Sequence, residues 1–256
     1  MAALETLSIT VETLRRERML LLGGFTVAAI GGLVSLRDVL GVPTVAATGA
    51  GVVATPFLLG GLLGMAEGSL SDGAELEEFV DRGRVHYVDL LVGWIGFMLV
   101  VAVGAAVGTL FVRLGTYGLG PFGVFFLGLL GLLLMVGTPV ALQFFDVGIV
   151  VGGRSAVDSL VQSGRLAWEN LGSVVGFSLV YGGIVLAATI PGSVLHVRAV
   201  ESTASGPVVV SEPYLWASVV TTVVLGSVAH ALSFTDKVAY SQQLYEDVPA
   251  TDSTGV

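Results

Sequence analysis

The sequence predicts an all-α membrane protein with six transmembrane helices, three amphipathic interfacial helices on the cytoplasmic side, and a threefold repeat of one helical hairpin. Three observations carry this expectation. Only 12% of the 256 residues are charged, against about 25% in a soluble domain, so the chain could not wet the surface of a globule of its size. The apolar residues, 54% of the total, fall in uninterrupted runs, and the mean hydropathy is +0.90. Short segments between those runs alternate oily and charged residues with helical period.

The runs place the spans. No charge occurs between Asp38 and Glu67, Asp89 and Arg113, Arg113 and Asp146, Glu169 and Arg198, or Glu212 and Asp236. Met19–Leu36 is shorter but also uncharged. Each can supply the roughly 20 apolar residues that cross a hydrocarbon core of about 30 Å. The expected spans are 19–36, 43–65, 90–112, 121–144, 172–195 and 213–235.

In chain order, residues 1–18 are expected to lie as an amphipathic helix at the inner surface. Leu4, Leu7, Val11 and Leu14 recur at spacings of three and four, with Glu12, Arg15 and Arg16 between them. Glu5, Glu12 and Glu17 argue against a signal peptide in this stretch. Span one and the outer turn Arg37–Pro43 lead to span two, where Pro56 is expected to kink the helix. The first inner connector, Glu67–Asp89, has Asp72 and Glu75 at capping spacing, then an oily face of Leu76, Phe79, Val80, Gly83 and Tyr87. Spans three and four are joined by the outer turn Arg113–Pro121, and Pro139 sits in span four.

The second inner connector repeats the first. Ser155 and Asp158 have the capping spacing, and Val157, Leu160, Val161, Gly164 and Trp168 form the oily face, with Trp168 at the depth of an interfacial aromatic. Span five is expected to end near Pro191. The outer loop Arg198–Glu212 carries a short extended piece at Val208–Val210, and span six ends at Phe234. A polar, disordered tail is expected over 241–256, after a membrane domain of residues 1–240.

The repeat rests on Gly83-Arg84 matching Gly164-Arg165, which also aligns Phe79 with Leu160, Val80 with Val161 and Tyr87 with Trp168. Repeat units then run over about 1–67, 68–146 and 147–236. All three enter from the same side, unlike the inverted repeats of many transporters. Basic residues give the orientation: Arg15, Arg16, Arg18, Arg82, Arg84, Arg154, Arg165 and Lys237 fall inside, and Arg37, Arg113 and Arg198 outside. Both termini are therefore expected in the cytoplasm, with the protein in the plasma membrane.

Composition also excludes classes of function. The absence of cysteine removes disulfide and thiolate chemistry. A net charge of −9 with ten Arg and a single Lys argues against nucleic acid, which needs a basic patch, and matches a halophile's bias. His86, His196 and His230 are scattered, so no metal site is expected, nor any cofactor.

The segments Leu76–Leu91 and Phe144–Gly176 resemble uncharacterised multi-span membrane proteins of halophilic archaea. These are similar in turn to the membrane domain attached to some glycerophosphodiester phosphodiesterases. The resemblance implies a six-helix membrane domain with amphipathic connectors and transfers no catalytic residue. Glu77-Glu78 followed by Arg82 also resembles the first motif of intramembrane proteases that process prenylated proteins, but the histidine motifs that complete that site are missing.

Two further sets of residues are singled out. Glu67, Asp146 and Asp236 end the even-numbered spans and, under the repeat, form an acidic ring at the inner surface. Such a ring would mark an ion path; the alternative is that each carboxylate caps a neighbouring helix or pairs with Arg84 or Arg165. Gly60, Gly64, Gly104, Gly108, Gly172 and Gly176 stand in Gly-xxx-Gly pairs that suit close helix packing. The function expected is non-catalytic: a scaffold or partner subunit organising the bilayer, in contact with lipid and with other membrane proteins. The alternative is a transporter or channel for a small solute or ion, and an intramembrane protease ranks below both.

Overall fold

A computed structural model describes residues 2–36, 43–71, 73–118, 120–203 and 206–246. Ten helices and one hairpin follow in order: α1 Ala2–Arg16, α2 Met19–Ser35, α3 Thr44–Ser71, α4 Leu76–Val85, α5 Tyr87–Gly118, α6 Gly120–Leu142, α7 Phe145–Val150, α8 Ala156–Glu169, α9 Leu171–Ala199, β1 Val200–Thr203, β2 Gly206–Val209 and α10 Glu212–Glu246. The described residues are thus all-α apart from two short strands. Five helices, over Gly49–Ser71, Tyr87–Tyr117, Gly120–Val150, Leu171–Ala199 and Glu212–Leu244, are long and apolar enough to cross a membrane. The apolar stretch of α2, Met19–Gly32, is shorter. The expected outer turn Arg37–Pro43 lies outside the described residues except for Pro43, as do Asp72 and the tail from residue 247.

The chain divides into two compact units, Met1–Tyr87 with Leu179–Val256, and Val88–Ser178. In the first, α2 and α10 make the main contact, α3 packs on both, and α1 lies along the C-terminal part of α10. Small residues permit this: a side chain at Gly24 would strike the Ser227 carbonyl, and one at Gly226 would press on Ala28 at 3.2 Å. At the far end, Leu36, Ala199 and Leu215 form a small core with Val200, Val209 and Val219 beside the hairpin. The strands pair antiparallel from Val200↔Val209 to Thr203↔Gly206, so the extended piece expected at Val208–Val210 is one arm of a hairpin.

In the second unit α5 and α6 pack through glycine. The Gly131 carbonyl lies 2.6 Å from where a Cβ of Gly108 would stand, and the Gly123 carbonyl 2.6 Å from that of Gly115. A Cβ at Gly104 would stand 2.7 Å from the Thr138 hydroxyl oxygen. Beside this pair α7 is buried along its whole length and packs on α8, with Phe145 stacked on Phe97 at 5.3 Å.

Three expectations about boundaries need correction. α9 does not stop near Pro191 but runs through it to Ala199; neighbours in a bundle can satisfy the backbone that proline disturbs, and here the Ser218 hydroxyl donates to the Gly192 carbonyl at 2.9 Å. α10 does not end at Phe234, and the tail does not start at residue 241. The helix continues to Glu246 because Val238, Ala239, Tyr240, Ser241 and Leu244 are buried, giving this polar-looking segment a packed face. The N-cap of α4 is Glu75, in extended conformation and without a side-chain cap bond, and the capping residue expected there, Asp72, lies outside the described residues.

Candidate functional site

The polar groups of the first unit meet where α1 lies against α10. Thr6, Thr10 and Thr13, spaced four and three apart, share one face of α1, and all three are buried. Opposite them α10 buries Asp236 completely, at 0% exposure, among Ser233, Thr235, Lys237, Tyr240 and Ser241. The Thr6 and Thr10 hydroxyls approach the Asp236 carboxyl. The approach stops short of hydrogen-bond geometry at the carboxylate, so both Asp236 oxygens are buried without a hydrogen-bond partner, as are the hydroxyls of Thr10, Ser233 and Thr235. Lys237 carries its ammonium over the Phe234 ring, 5.8 Å from the centroid, and His230 stacks on that ring at 6.1 Å. Arg16 ties the end of α1 to the end of α3 by donating to the Ser69 carbonyl at 3.2 Å.

A second polar site joins α3 to α4. Gly61, Gly64 and Gly68 line one face of α3 and admit Phe79, Arg82 and Glu78 of α4. In return Gly83 of α4 lies against Phe57, whose ring makes an edge contact with Phe79 at 6.0 Å. Arg82 bridges two acids: its Nη2 is 3.2 Å from Glu67 Oε2 and its Nε 3.9 Å from Glu78 Oε1. The first is a close ion pair without hydrogen-bond alignment, since Glu67 Oε2 makes no hydrogen bond. Burial pushes the Glu78 carboxyl above its ordinary range, Arg82 pulls it down, and Glu67 and Glu75 add to the rise. These groups border an open cleft of about 530 Å³ with Glu75, Glu77 and Asp81 on its rim. Among the described residues no three histidine, cysteine or acidic side chains are grouped to hold a metal ion.

The three proposed ring carboxylates therefore have three different surroundings. Glu67 pairs with Arg82, not with Arg84. Asp146, buried in the other unit, accepts from the Val147 N–H at 2.9 Å at the start of α7. Asp236 faces threonines. Arg165, fully exposed, bonds Glu169 at 2.7 Å, and that bond raises its already high pKa. Within the protease-like motif, Glu77 is exposed on α4 and Glu78 is held by Arg82.

The short helices share a pattern that runs against ordinary amphipathic packing. On α8 the buried face is Ala156, Ser159, Ser163, Leu166 and Ala167, whereas Val157, Val161 and Trp168 are 65%, 69% and 81% exposed. On α4, Phe79 and Gly83 are buried and Leu76 and Val80 exposed. On α1 the threonines are buried and Leu4 exposed, with Leu7, Val11 and Leu14 between. The expected oily faces are thus split or turned outward; small or hydroxylated residues hold α1 and much of α8 to the protein, and Phe79 with Gly83 holds α4. Ser163 is the clearest holder: its hydroxyl donates to the Ala141 carbonyl at 2.9 Å and accepts from the Phe144 N–H at 3.1 Å. The expected cap of α8 is present, the Asp158 N–H donating to the Ser155 hydroxyl at 3.2 Å.

Of the glycines expected to pack, Gly60 is buried and Gly64, Gly104 and Gly108 meet neighbouring chain. Gly172 and Gly176 do not: a Cβ at either would meet nothing within 4 Å among the described residues. Sequence reasoning missed Thr6, Thr10 and Thr13, whose four-then-three spacing was the available signal. It also missed Arg82 as the bridging cation.

The family described as Domain of unknown function (DUF7847) matches residues 1–247. The chain belongs to that family. The match takes in both units, so the α1–α10 seam and the α3–α4 bridge both lie within the family domain. No curated protein and no solved structure matches the chain.

Proposed function

We propose that the protein is a non-catalytic membrane scaffold or partner subunit that organises one leaflet of the bilayer. The observation that carries this reading is the outward oily face of the three short helices, with Leu4, Leu76, Val80, Val157, Val161 and Trp168 open beside helices long enough to span. Helices that bury apolar side chains in the headgroup boundary take up area in one leaflet. Dry packing between helices supports the same reading, since Gly24, Gly108 and Gly115 bring backbones together and leave no room for a path at those points.

The rest of the proposal concerns topology. The order short amphipathic helix, apolar helix, apolar helix occurs three times, as α1–α3 with the shorter α2, α4–α6, and α8–α10 with the small α7 between the second and third, which supports a parallel repeat. We take α2 as a sixth span, tilted little because it is short, with both termini and all three short helices on the cytoplasmic side of the plasma membrane. The likeness to membrane domains attached to glycerophosphodiester phosphodiesterases, and a halophilic source, belong to the same proposal.

Reconstitution tests it. At a fixed protein-to-lipid ratio, vesicles holding the protein should show a changed diameter distribution by electron cryomicroscopy, and Val157→Ser with Val161→Ser should reduce the change. Vesicles of unaltered size with the unmodified protein would count against the scaffold. A transporter is the second reading, favoured by one observation: Asp236 is a buried carboxylate inside an apolar helix, the kind of residue that marks ion pathways. Solute or ion flux above that of protein-free vesicles, lost in Asp236→Asn, would favour it over the scaffold.

A further inference from the structure

We propose that the α1–α10 seam binds one monovalent alkali cation, held by the Asp236 carboxylate and the Thr6 and Thr10 hydroxyls. This does not depend on whether the bundle is a scaffold or a transporter, because the ion would tie α1 to α10 in either case.

The argument begins with an unbalanced charge. Asp236 is fully buried and neither oxygen has a hydrogen-bond partner. A buried carboxylate needs a cation, a proton or several donors. The cationic side chains on the surrounding helices are engaged elsewhere. Arg15 and Arg16 lie on the exposed face of α1, with Arg16 reaching the Ser69 carbonyl and Glu17. Lys237 lies over Phe234, and Arg82 bridges Glu67 and Glu78. α2 carries no charge, Glu67 is the one charged residue of α3, and His230 of α10 stacks on Phe234.

The ligand chemistry then follows from the atoms present. The hydroxyls of Thr6 and Thr10 come toward the carboxyl, yet the carboxylate has no hydrogen bond and Thr10 Oγ1 has no partner. A hydroxyl accepts as well as donates, so the carboxylate and the two hydroxyls bring several oxygen lone pairs to one place in the seam. Hard cations take carboxylate and other oxygen ligands of this kind. A single carboxylate matches a single positive charge. Calcium is disfavoured, since its sites gather six to eight oxygens, commonly from several carboxylates, and no such group of acids occurs among the described residues. Ser233 and Thr235 supply further buried hydroxyls without partners on the same stretch of α10.

The test is thermal unfolding of the purified full chain in detergent, in sodium, potassium or choline chloride at equal ionic strength. A ligand that binds only the folded state stabilises it by mass action. At saturation the midpoint in sodium or potassium should exceed that in choline by roughly 5 °C, and comparison of the two metals shows which ion fits. Asp236→Asn should remove the difference. Thr10→Val should raise the half-saturating concentration about tenfold, with Thr10→Ser restoring it. Equal midpoints in all three salts would overturn the proposal, and so would a midpoint that follows pH but not the cation, which is the outcome of a protonated carboxyl. If Asp236→Asn keeps the cation preference, the ion is bound elsewhere and the assignment fails. Should that variant not fold, the wild-type salt series and the Thr10 pair still decide.

Discussion

Gly61 offers a quantitative test of the α3–α4 seam. An alanine there would put its Cβ 2.6 Å from the Phe79 carbonyl oxygen and 2.8 Å from carbons of its ring. Ordinary carbon contacts sit at about 3.5–4.0 Å, and the obstacle is backbone, so α4 must retreat by roughly 1 Å. Overpacking of this kind costs about 1–3 kcal/mol. Alanine gains up to about 1 kcal/mol over glycine within a helix, which leaves Gly61→Ala neutral to destabilising. Gly176→Ala is the control. It has the same intrinsic gain, and nothing stands within 4 Å of its Cβ among the described residues. The difference between the two variants isolates the steric term. For a chain of this size it corresponds to a gap of roughly 2–12 °C in unfolding midpoint, with Gly61→Ala lower. Both variants would be melted in detergent, followed by tryptophan fluorescence. A Gly61→Ala protein as stable as Gly176→Ala would refute the close approach of α4 to α3.

Three other outcomes follow from the same structure. Ser155→Ala should destabilise by about 1 kcal/mol through loss of the α8 cap, whereas Glu75→Ala should not show a capping loss, since Glu75 makes no cap bond; denaturant midpoints compare them. Glu78 has a raised folded pKa, so its protonated form favours the folded state. Its contribution is greatest below the ordinary carboxylate pKa and declines as pH rises through the folded value. Subtracting the stability–pH curve of Glu78→Gln from that of wild type should expose that decline, and a difference curve that rises with pH would contradict it. Finally, the chain has no cysteine, so Ser202→Cys should label from outside intact cells and Ser71→Cys should not; the reverse would invert the proposed topology.

The helices were legible because charge-free runs mark them directly, and their bounds failed where a local rule yields to packing. Pro191 reads as a stop, yet a bundle supplies partners for the backbone it disturbs, as Ser218 does for Gly192. Ser241–Glu246 reads as polar chain, yet Leu244 finds a buried place in α10. Periodicity identified the amphipathic helices but could not say which face meets the protein. In water the aliphatic face turns inward; beside a bilayer it can turn outward, and Val157, Val161 and Trp168 do so. The carboxylates at span ends were visible as residues, but their roles depend on neighbours far along the chain. Glu67 is answered by Arg82, and Asp236 by threonines more than two hundred residues away. Glycine spacing is likewise symmetric in sequence and asymmetric in space, so Gly104 packs and Gly176 does not.

The outward faces of the short helices are the centre of the functional reading, and Trp168 reports on them directly. With Trp94 and Trp216 replaced by phenylalanine, Trp168 is the sole tryptophan of the chain. In reconstituted vesicles, lipids brominated near the headgroup should quench its fluorescence strongly, and aqueous acrylamide only weakly. Strong quenching by acrylamide with none by the brominated lipids would place α8 in water and contradict the account.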